Sequence, residues 1–395
     1  TEYAMRITGF RHEKYLMKLD RPIADCNRPE GVELLPGSIL YLETDENVTG
    51  LGFGFGGEAV EALFPVIEGR DPRETLGLWM AMNDAVHKGG NEGAANYALS
   101  IIDLALWDLK ARLSGRPLWR ELGAREGRVK AYASGLDYCL PDEELFRFYR
   151  RLAERGVDGG KLKVGLDLAA DMRRLDIMRD ALSVASDKPL LMIDANEYWS
   201  PTQAIRFVRR MERHFDLLWV EEPARRWDYA GLRKVSQGIS AAVATGENLN
   251  SLAEFYALFD QRAVDVANIS LVHSGVTGCR QIAHFAMAHD VPVSMMNSQA
   301  DFMAHVAAAL PNHNMMEVVD PGREQCLAFR HCIEDGHIVL SDDPGLGIEV
   351  REEVLAALQA DPPTGKGTFP LSRREGAGRY IVPPAPGEVD WKTGA

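Results

Sequence analysis

Between residues 129 and 317 the chain repeats one pattern: a short apolar run that ends in a polar residue, followed by a stretch with helical periodicity. The run ends are Lys161-Leu-Lys163, Met192-Ile-Asp194, Trp219-Val-Glu221, Ala244-Thr-Gly-Glu247, Val266-Ala-Asn-Ile-Ser270, Pro292-Val-Ser-Met-Met-Asn297 and Met315-Met-Glu317, with successive end residues 20 to 31 positions apart. A strand buried on both faces does not tolerate such groups unpaired in its middle, so they belong at strand ends. With the strand-like run Val129–Ser134, eight strands fall within about 190 residues, which predicts a closed parallel barrel with its site at the C-terminal strand ends. An open doubly wound sheet is the alternative.

The flanks read differently. Residues 1 to about 60 alternate as an antiparallel sheet, and the glycine-rich run 50–57 lacks the Lys-Ser/Thr ending of a phosphate loop. From Ala94 to Arg112 one helical face carries Leu99, Ile102, Leu106 and Leu109, with Asp103 and Asp108 placed off it. This divides the chain into an α+β unit at 1–125, the barrel at 126–325 and a segment at 326–395 that returns to the first unit. A net charge of −14 opposes nucleic acid and anionic membranes as partners. The five scattered cysteines form no CxxC pair, the start TEYAMRITGF is too polar for a signal peptide, and no apolar run reaches membrane-spanning length. A soluble cytoplasmic protein is expected.

Asp194, Glu221 and Glu247 end three successive strands, so the barrel brings three carboxylates to one side of its mouth. One such acid is as readily a helix cap, but three in register repel one another unless a cation joins them. An all-oxygen set favours Mg²⁺. Lys161 and Lys163, two apart on one strand, share a face beside that site. Mutual repulsion and a nearby cation are expected to lower their proton affinity, so that one lysine serves as a general base.

Seven stretches together resemble the enolase superfamily and, within it, the mandelate racemase subgroup: ANYALSIIDLALWDLKARLSGRPLWRELG, GGKLKVG, MIDANEYWS, WVEEPA, ATGENL, HSGVTG and DPGLGIEV. The resemblance implies a modified (β/α)7β TIM-type barrel under an N-terminal α+β capping domain, with Mg²⁺ on Asp194, Glu221 and Glu247. It implies abstraction of the proton α to a carboxylate through a metal-stabilised enediolate, with Lys163 as base and Lys161 assisting the substrate carboxylate. Asn196 and Glu317 match positions that contact metal-bound ligand or substrate oxygen, and Glu222 a supporting neighbour. Relatives commonly assemble, so a homo-oligomer acting on a small-molecule carboxylate is expected.

The chain departs from that pattern where relatives place a second acid/base. Asn297 stands where a seventh-strand His is usual, and the sixth-strand run Val266–Ser270 has no ionisable group. Inversion needs groups on both faces of the substrate, whereas a lysine that has taken the α-proton can return it to a hydroxide leaving from the same face. Dehydration of a sugar acid is therefore the expected reaction, ahead of racemisation or epimerisation with His273 as the missing acid/base, and ahead of a non-catalytic metal-binding protein. Asn297 and Ser298 suit hydrogen bonds to a polyol, and His305 a structural role. Loops at about 16–32 (Arg21, Asp25, Asn27, Arg28) and 50–58 (Phe53, Phe55) are expected to close over the mouth.

Overall fold

The computed structural model describes residues 5–54, 57–89, 91–296, 301–368 and 372–388. Three antiparallel strands, β1 (Ile7–Ile23), β2 (Val32–Thr44) and β3 (Thr49–Phe53), form the N-terminal sheet in the order β1-β2-β3. Helices α1 (Val60–Ile67), α2 (Thr75–Ala85) and α3 (Gly93–Leu113) follow, and the short α4 (Leu118–Glu121) leads into the barrel. Gly50 and Gly52 explain the glycine run: a Cβ at either would strike the α3 backbone at Ala105 or Ile101. The glycines let β3 and a helix touch, as close packing requires.

The α3 helix has no solvent face along most of its length. Asp103 and Asp108 are fully buried, contrary to a simple amphipathic reading. Asp103 accepts from the Thr277 backbone N–H at 2.8 Å and from its hydroxyl at 2.7 Å, while Asp108 accepts from the backbone of Leu51 at 2.8 Å and Leu346 at 2.6 Å. These acids pair with groups from elsewhere in the chain, which periodicity along one helix cannot reveal.

Eight parallel strands close the barrel: β4 (Arg128–Ser134), β5 (Gly159–Lys163), β6 (Leu190–Asp194), β7 (Leu217–Glu221), β8 (Ala242–Thr245), β9 (Val266–Ile269), β10 (Val293–Met295) and β11 (His313–Val318), with β11 pairing back to β4. Between them run α5 (Asp142–Ala153), α6 (Leu168–Leu182), α7 (Pro201–Met211), α8 (Tyr229–Gly238), α9 (Leu252–Asp260), α10 (Leu271–Ala288) and the short α11 (Ala304–Ala307). No helix follows β11 before the chain turns away, which gives the (β/α)7β form. The helix starts carry their own signals: Asp167 caps α6, Ser200 followed by Pro201 opens α7, and Ser251 with Glu254 forms a capping box on α9.

Inside the barrel, Tyr132, Met192, Trp219, Ala244, Val266 and Met315 form an apolar cluster. Beyond it come β12 (Leu327–Ala328), β13 (Cys332–Glu334), β14 (His337–Val339), β15 (Glu349–Val350) and α12 (Glu352–Ala360). The β13–β14 hairpin extends the barrel through β4, whereas α12 leans on the N-terminal sheet, where Glu352 meets Arg11 at 3.2 Å and the Tyr41 hydroxyl at 2.8 Å. No helix among the described residues is long and apolar enough to cross a membrane.

Candidate functional site

Strand register places the expected residues together. Lys163 pairs with Asp194 and Asp194 with Glu221, so all three face the barrel interior from adjacent strands. Glu247 follows β8 by two residues, and ligand oxygens of Asp194, Glu221 and Glu247 lie within 4.8 Å of one another. Lys163 Nζ is 2.5 Å from Asp194 Oδ2; Lys161 Nζ contacts Glu221 and lies 3.0 Å from Glu317 and 3.6 Å from Asp194. Lys161 is wholly buried and Lys163 only 3% exposed.

Without a bound cation, the carboxylates around the lysines hold both of them protonated. Burial pulls the Lys163 ammonium toward deprotonation, but Asp194, Glu247 and Glu221 together outweigh it and raise its pKa; Lys161 is raised in the same way by the acids around it, Glu221 and Glu317 foremost. Asp194 mirrors this: burial pushes its carboxyl up, yet Lys163 and Lys161 hold it below the usual range. Glu247, with less help, rises to about 7 through burial. Repulsion within the lysine pair is real but smaller than the attraction of the acids around it.

The strand bearing the lysines is gripped from behind. Tyr149 donates its hydroxyl to the Lys161 carbonyl at 2.6 Å and to Asp137 at 2.5 Å. Arg174 reaches Asp137 at 2.7 Å and the Lys163 carbonyl at 2.8 Å, and Asp137 accepts from the Lys163 N–H at 3.2 Å. Sequence reasoning missed this buried Asp137–Tyr149–Arg174 cradle; the only signal was an arginine on the inner face of α6.

Of the expected loop at 16–32, residues 16–23 belong to β1 and Val32 to β2; the remaining residues, 24–31, cover the mouth. Ala24 N–H donates to the Leu136 carbonyl at 2.7 Å and Tyr138 N–H to the Ala24 carbonyl at 3.3 Å. Cys26 Sγ meets the Ala195 carbonyl at 3.1 Å, and Asn27 Nδ2 the Asn196 carbonyl at 3.0 Å. A Cβ on Gly165 would press on Cys26 at 3.1 Å, so glycine admits the loop. Asp25 turns the chain by accepting from the backbone of Asn27 and Arg28. Phe53 of the second loop is instead core, 3% exposed and packed on Phe302 at 4.9 Å between ring centres.

Other expected residues lie at varying distance from this centre. Asn196, in a left-handed conformation with φ 42°, donates its N–H to Asp194 at 2.8 Å. Glu317 joins through Lys161, and Glu222 accepts from Asn248 at 2.8 Å beside Glu247. His273 sits in the first turn of α10, edge-on to Tyr97, and burial with the Arg226 charge lowers its pKa to about 4, so it is neutral at pH 7. His305, on α11, is buried against α4, its Nδ1 accepting from the Trp119 N–H at 3.3 Å. Asn297, Ser298 and Phe55 lie outside the described residues.

The donor set fits a magnesium ion: three buried or half-buried carboxylates, no sulfur or imidazole among them, and two cations positioned to balance charge until a metal arrives. Comparisons with known proteins agree with that chemistry. Residues 144–354 match the enolase C-terminal domain-like model, and residues 36–123 the mandelate racemase/muconate lactonizing enzyme N-terminal domain. The chain is 31% identical to a 3,6-anhydro-alpha-L-galactonate cycloisomerase of Streptomyces coelicolor, over 81% of this chain and 90% of that one. It is also 31% identical to the L-talarate/galactarate dehydratase of Salmonella typhimurium, over 83% and 84% respectively. The crystal structure of that dehydratase with Mg and L-lyxarohydroxamate superposes with a TM-score of 0.81 at 28% identity, covering 89% of this chain and 93% of the other. With both domain models matched in order along a barrel and cap of this form, the chain belongs to the mandelate racemase/muconate lactonizing enzyme family of the enolase superfamily.

Proposed function

We propose that the protein is a Mg²⁺-dependent lyase that dehydrates a sugar acid by removing the proton α to its carboxylate, with Lys163 as the base. The observation that carries this reading is the contact between Lys163 Nζ and Asp194 at the edge of the three-carboxylate cluster. Asp194, Glu221 and Glu247 hold the cation. When bound, it supplies positive charge that polarises the substrate carboxylate and offsets the three acids. With a cation on Asp194, Lys163 would lose part of the ion pair that keeps it protonated and could act as a base.

The chain's own groups then divide the work. Lys163 takes the α-proton, giving an enediolate, and Lys161 with Glu317 positions the substrate carboxylate. Lys163, now carrying the proton, returns it to the β-hydroxyl as that group leaves, so carbon–oxygen cleavage needs one face only. The sixth barrel strand, Val266–Ile269, holds no ionisable side chain, which favours this one-faced course over inversion. The galactonate cycloisomerase relative supports a second reading, in which the same deprotonation leads to an isomer rather than to loss of water.

The test is solvent-deuterium exchange at the α-carbon with Mg²⁺ across galactarate, L-talarate, D-galactonate and arabinonate, with product analysis. Exchange is expected for at least one acid, with formation of a dehydrated keto acid. Lys163→Ala is expected to lose exchange by at least about a thousandfold, as removal of a proton-transfer group does. A product isomeric with the acid selects epimerisation or cycloisomerisation over dehydration, and exchange that survives in Lys163→Ala rejects Lys163 as base.

A further inference from the structure

We infer that Asn268 is a substrate-positioning residue whose carboxamide binds two neighbouring hydroxyls of the sugar acid, on the barrel wall facing Lys163; this rests on the dehydratase reading above. The lysines stand on β5, the second barrel strand, and Asn268 on β9, the sixth, so in a closed ring of eight they are diametrically opposed. Val266 belongs to the interior cluster with Tyr132 and Trp219, and Asn268 is two residues further along the strand, hence on the same inward face. Its register partner Ser294 is also buried.

Asn268 is fully buried, yet neither Oδ1 nor Nδ2 has a hydrogen-bond partner among the described residues. On the adjacent strand Ser294 Oγ is already engaged with the Met315 carbonyl at 2.8 Å, and across the barrel Lys161 is held by Glu221 and Glu317. Folded proteins rarely leave a buried carboxamide with both ends unmet, because its desolvation is then uncompensated. One that faces a reaction chamber is accounted for by a ligand that meets both ends. A carboxylate satisfies only the N–H donors and an ammonium only the oxygen. Vicinal hydroxyls satisfy both, one donating to Oδ1 and the next accepting from Nδ2. Because a carboxamide has no ionisation near neutral pH, the wall opposite Lys163 holds substrate without supplying a second acid/base.

Asn268→Leu and Asn268→Ala separate this role from a structural one. With Mg²⁺ and whichever of galactarate, L-talarate, D-galactonate or arabinonate exchanges its α-proton in the wild type, KM is expected to rise about tenfold or more. Without substrate, the Tm of Asn268→Leu is expected to stay level or rise, since an unmet polar group has been replaced by an apolar one. In the wild type, a 4-deoxy or 5-deoxy analogue of that acid is expected to lose a similar factor, and the leucine variant to show little further loss. Additive losses, or an unchanged KM with a Tm several degrees lower, assign Asn268 to internal structure or a trapped water and overturn the inference alone. If no acid exchanges in the wild type, the dehydratase reading falls and takes this inference with it.

Discussion

The protonation of Glu247 links the metal centre to solution conditions. Its carboxyl is raised by burial from 4.5 to about 7, so the folded protein binds that proton more tightly than the unfolded chain does. Between about pH 4.5 and 7 the unfolded state has already released it, and Glu247 therefore lowers the stability of the metal-free protein as pH rises through this window. Mg²⁺ binds the ionised form, so its stabilising effect is expected to grow over the same range. Thermal melts with and without 5–10 mM Mg²⁺, roughly excess over a typical site, should show a larger gain in Tm at pH 8 than at pH 5; a gain independent of pH contradicts this. Glu221→Gln is expected to weaken Mg²⁺ binding at least about tenfold by calorimetry. At this scale the three acids and two lysines were legible because strand ends are marked by polar residues in apolar runs. The metal-free lysine charge state was not, because strand spacing brings the acids to the same mouth without showing that Asp194 and Glu317 lie within 2.5 to 3.6 Å of the two ammonium groups.

Elements hold these residues through contacts that local patterns do not reveal. The β5 strand depends on Asp137, Tyr149 and Arg174 behind it. Arg174→Met is expected to lower kcat about 10–100-fold by letting the lysines shift, while the Mg²⁺ dissociation constant stays within about threefold of wild type. A matching loss of metal affinity would mean that the cradle supports the carboxylates instead. The α3–α10 seam is a second case. Asp103→Ala leaves the Thr277 N–H buried without its partner, at an expected cost of about 1–3 kcal/mol in urea unfolding. The helix and its length were readable from periodicity, as was the βα alternation. The buried faces of Asp103 and Asp108 were not, since their partners lie on β3, on α10 and near Leu346.

Across the whole molecule, segment 372–388 runs back over the barrel to the Ala24–Arg28 loop. Gly378 N–H donates to the Tyr198 carbonyl at 2.7 Å, Arg374 N–H to Asn27 Oδ1 at 3.1 Å, and Glu388 pairs with Arg210 at 3.0 Å. The tail thus touches both the Ala24–Arg28 loop and the segment after β6 that this loop grips. Truncation after Thr368 is expected to raise KM for an accepted acid while leaving the far-ultraviolet signature of the barrel intact; an unchanged KM would show that the loop needs no support from the tail. The barrel was legible from strand spacing, but this strap was not, because a Pro- and Gly-rich end carries no periodic signal.

The bonds that Ala24, Cys26 and Asn27 make to carbonyls at the barrel mouth, together with Tyr138 to Ala24, are expected to break before a ligand reaches Lys163. At roughly 1 kcal/mol each, four such bonds favour the closed form by about 4 kcal/mol, leaving about one molecule in a thousand open. Entry is then slow even for a tight ligand. An encounter rate near about 10⁶ M⁻¹s⁻¹ falls to roughly 10³ M⁻¹s⁻¹, and departure slows by the same factor. The latch sets how long a ligand stays as well as whether it is shielded from water, a behaviour that stopped-flow binding resolves directly.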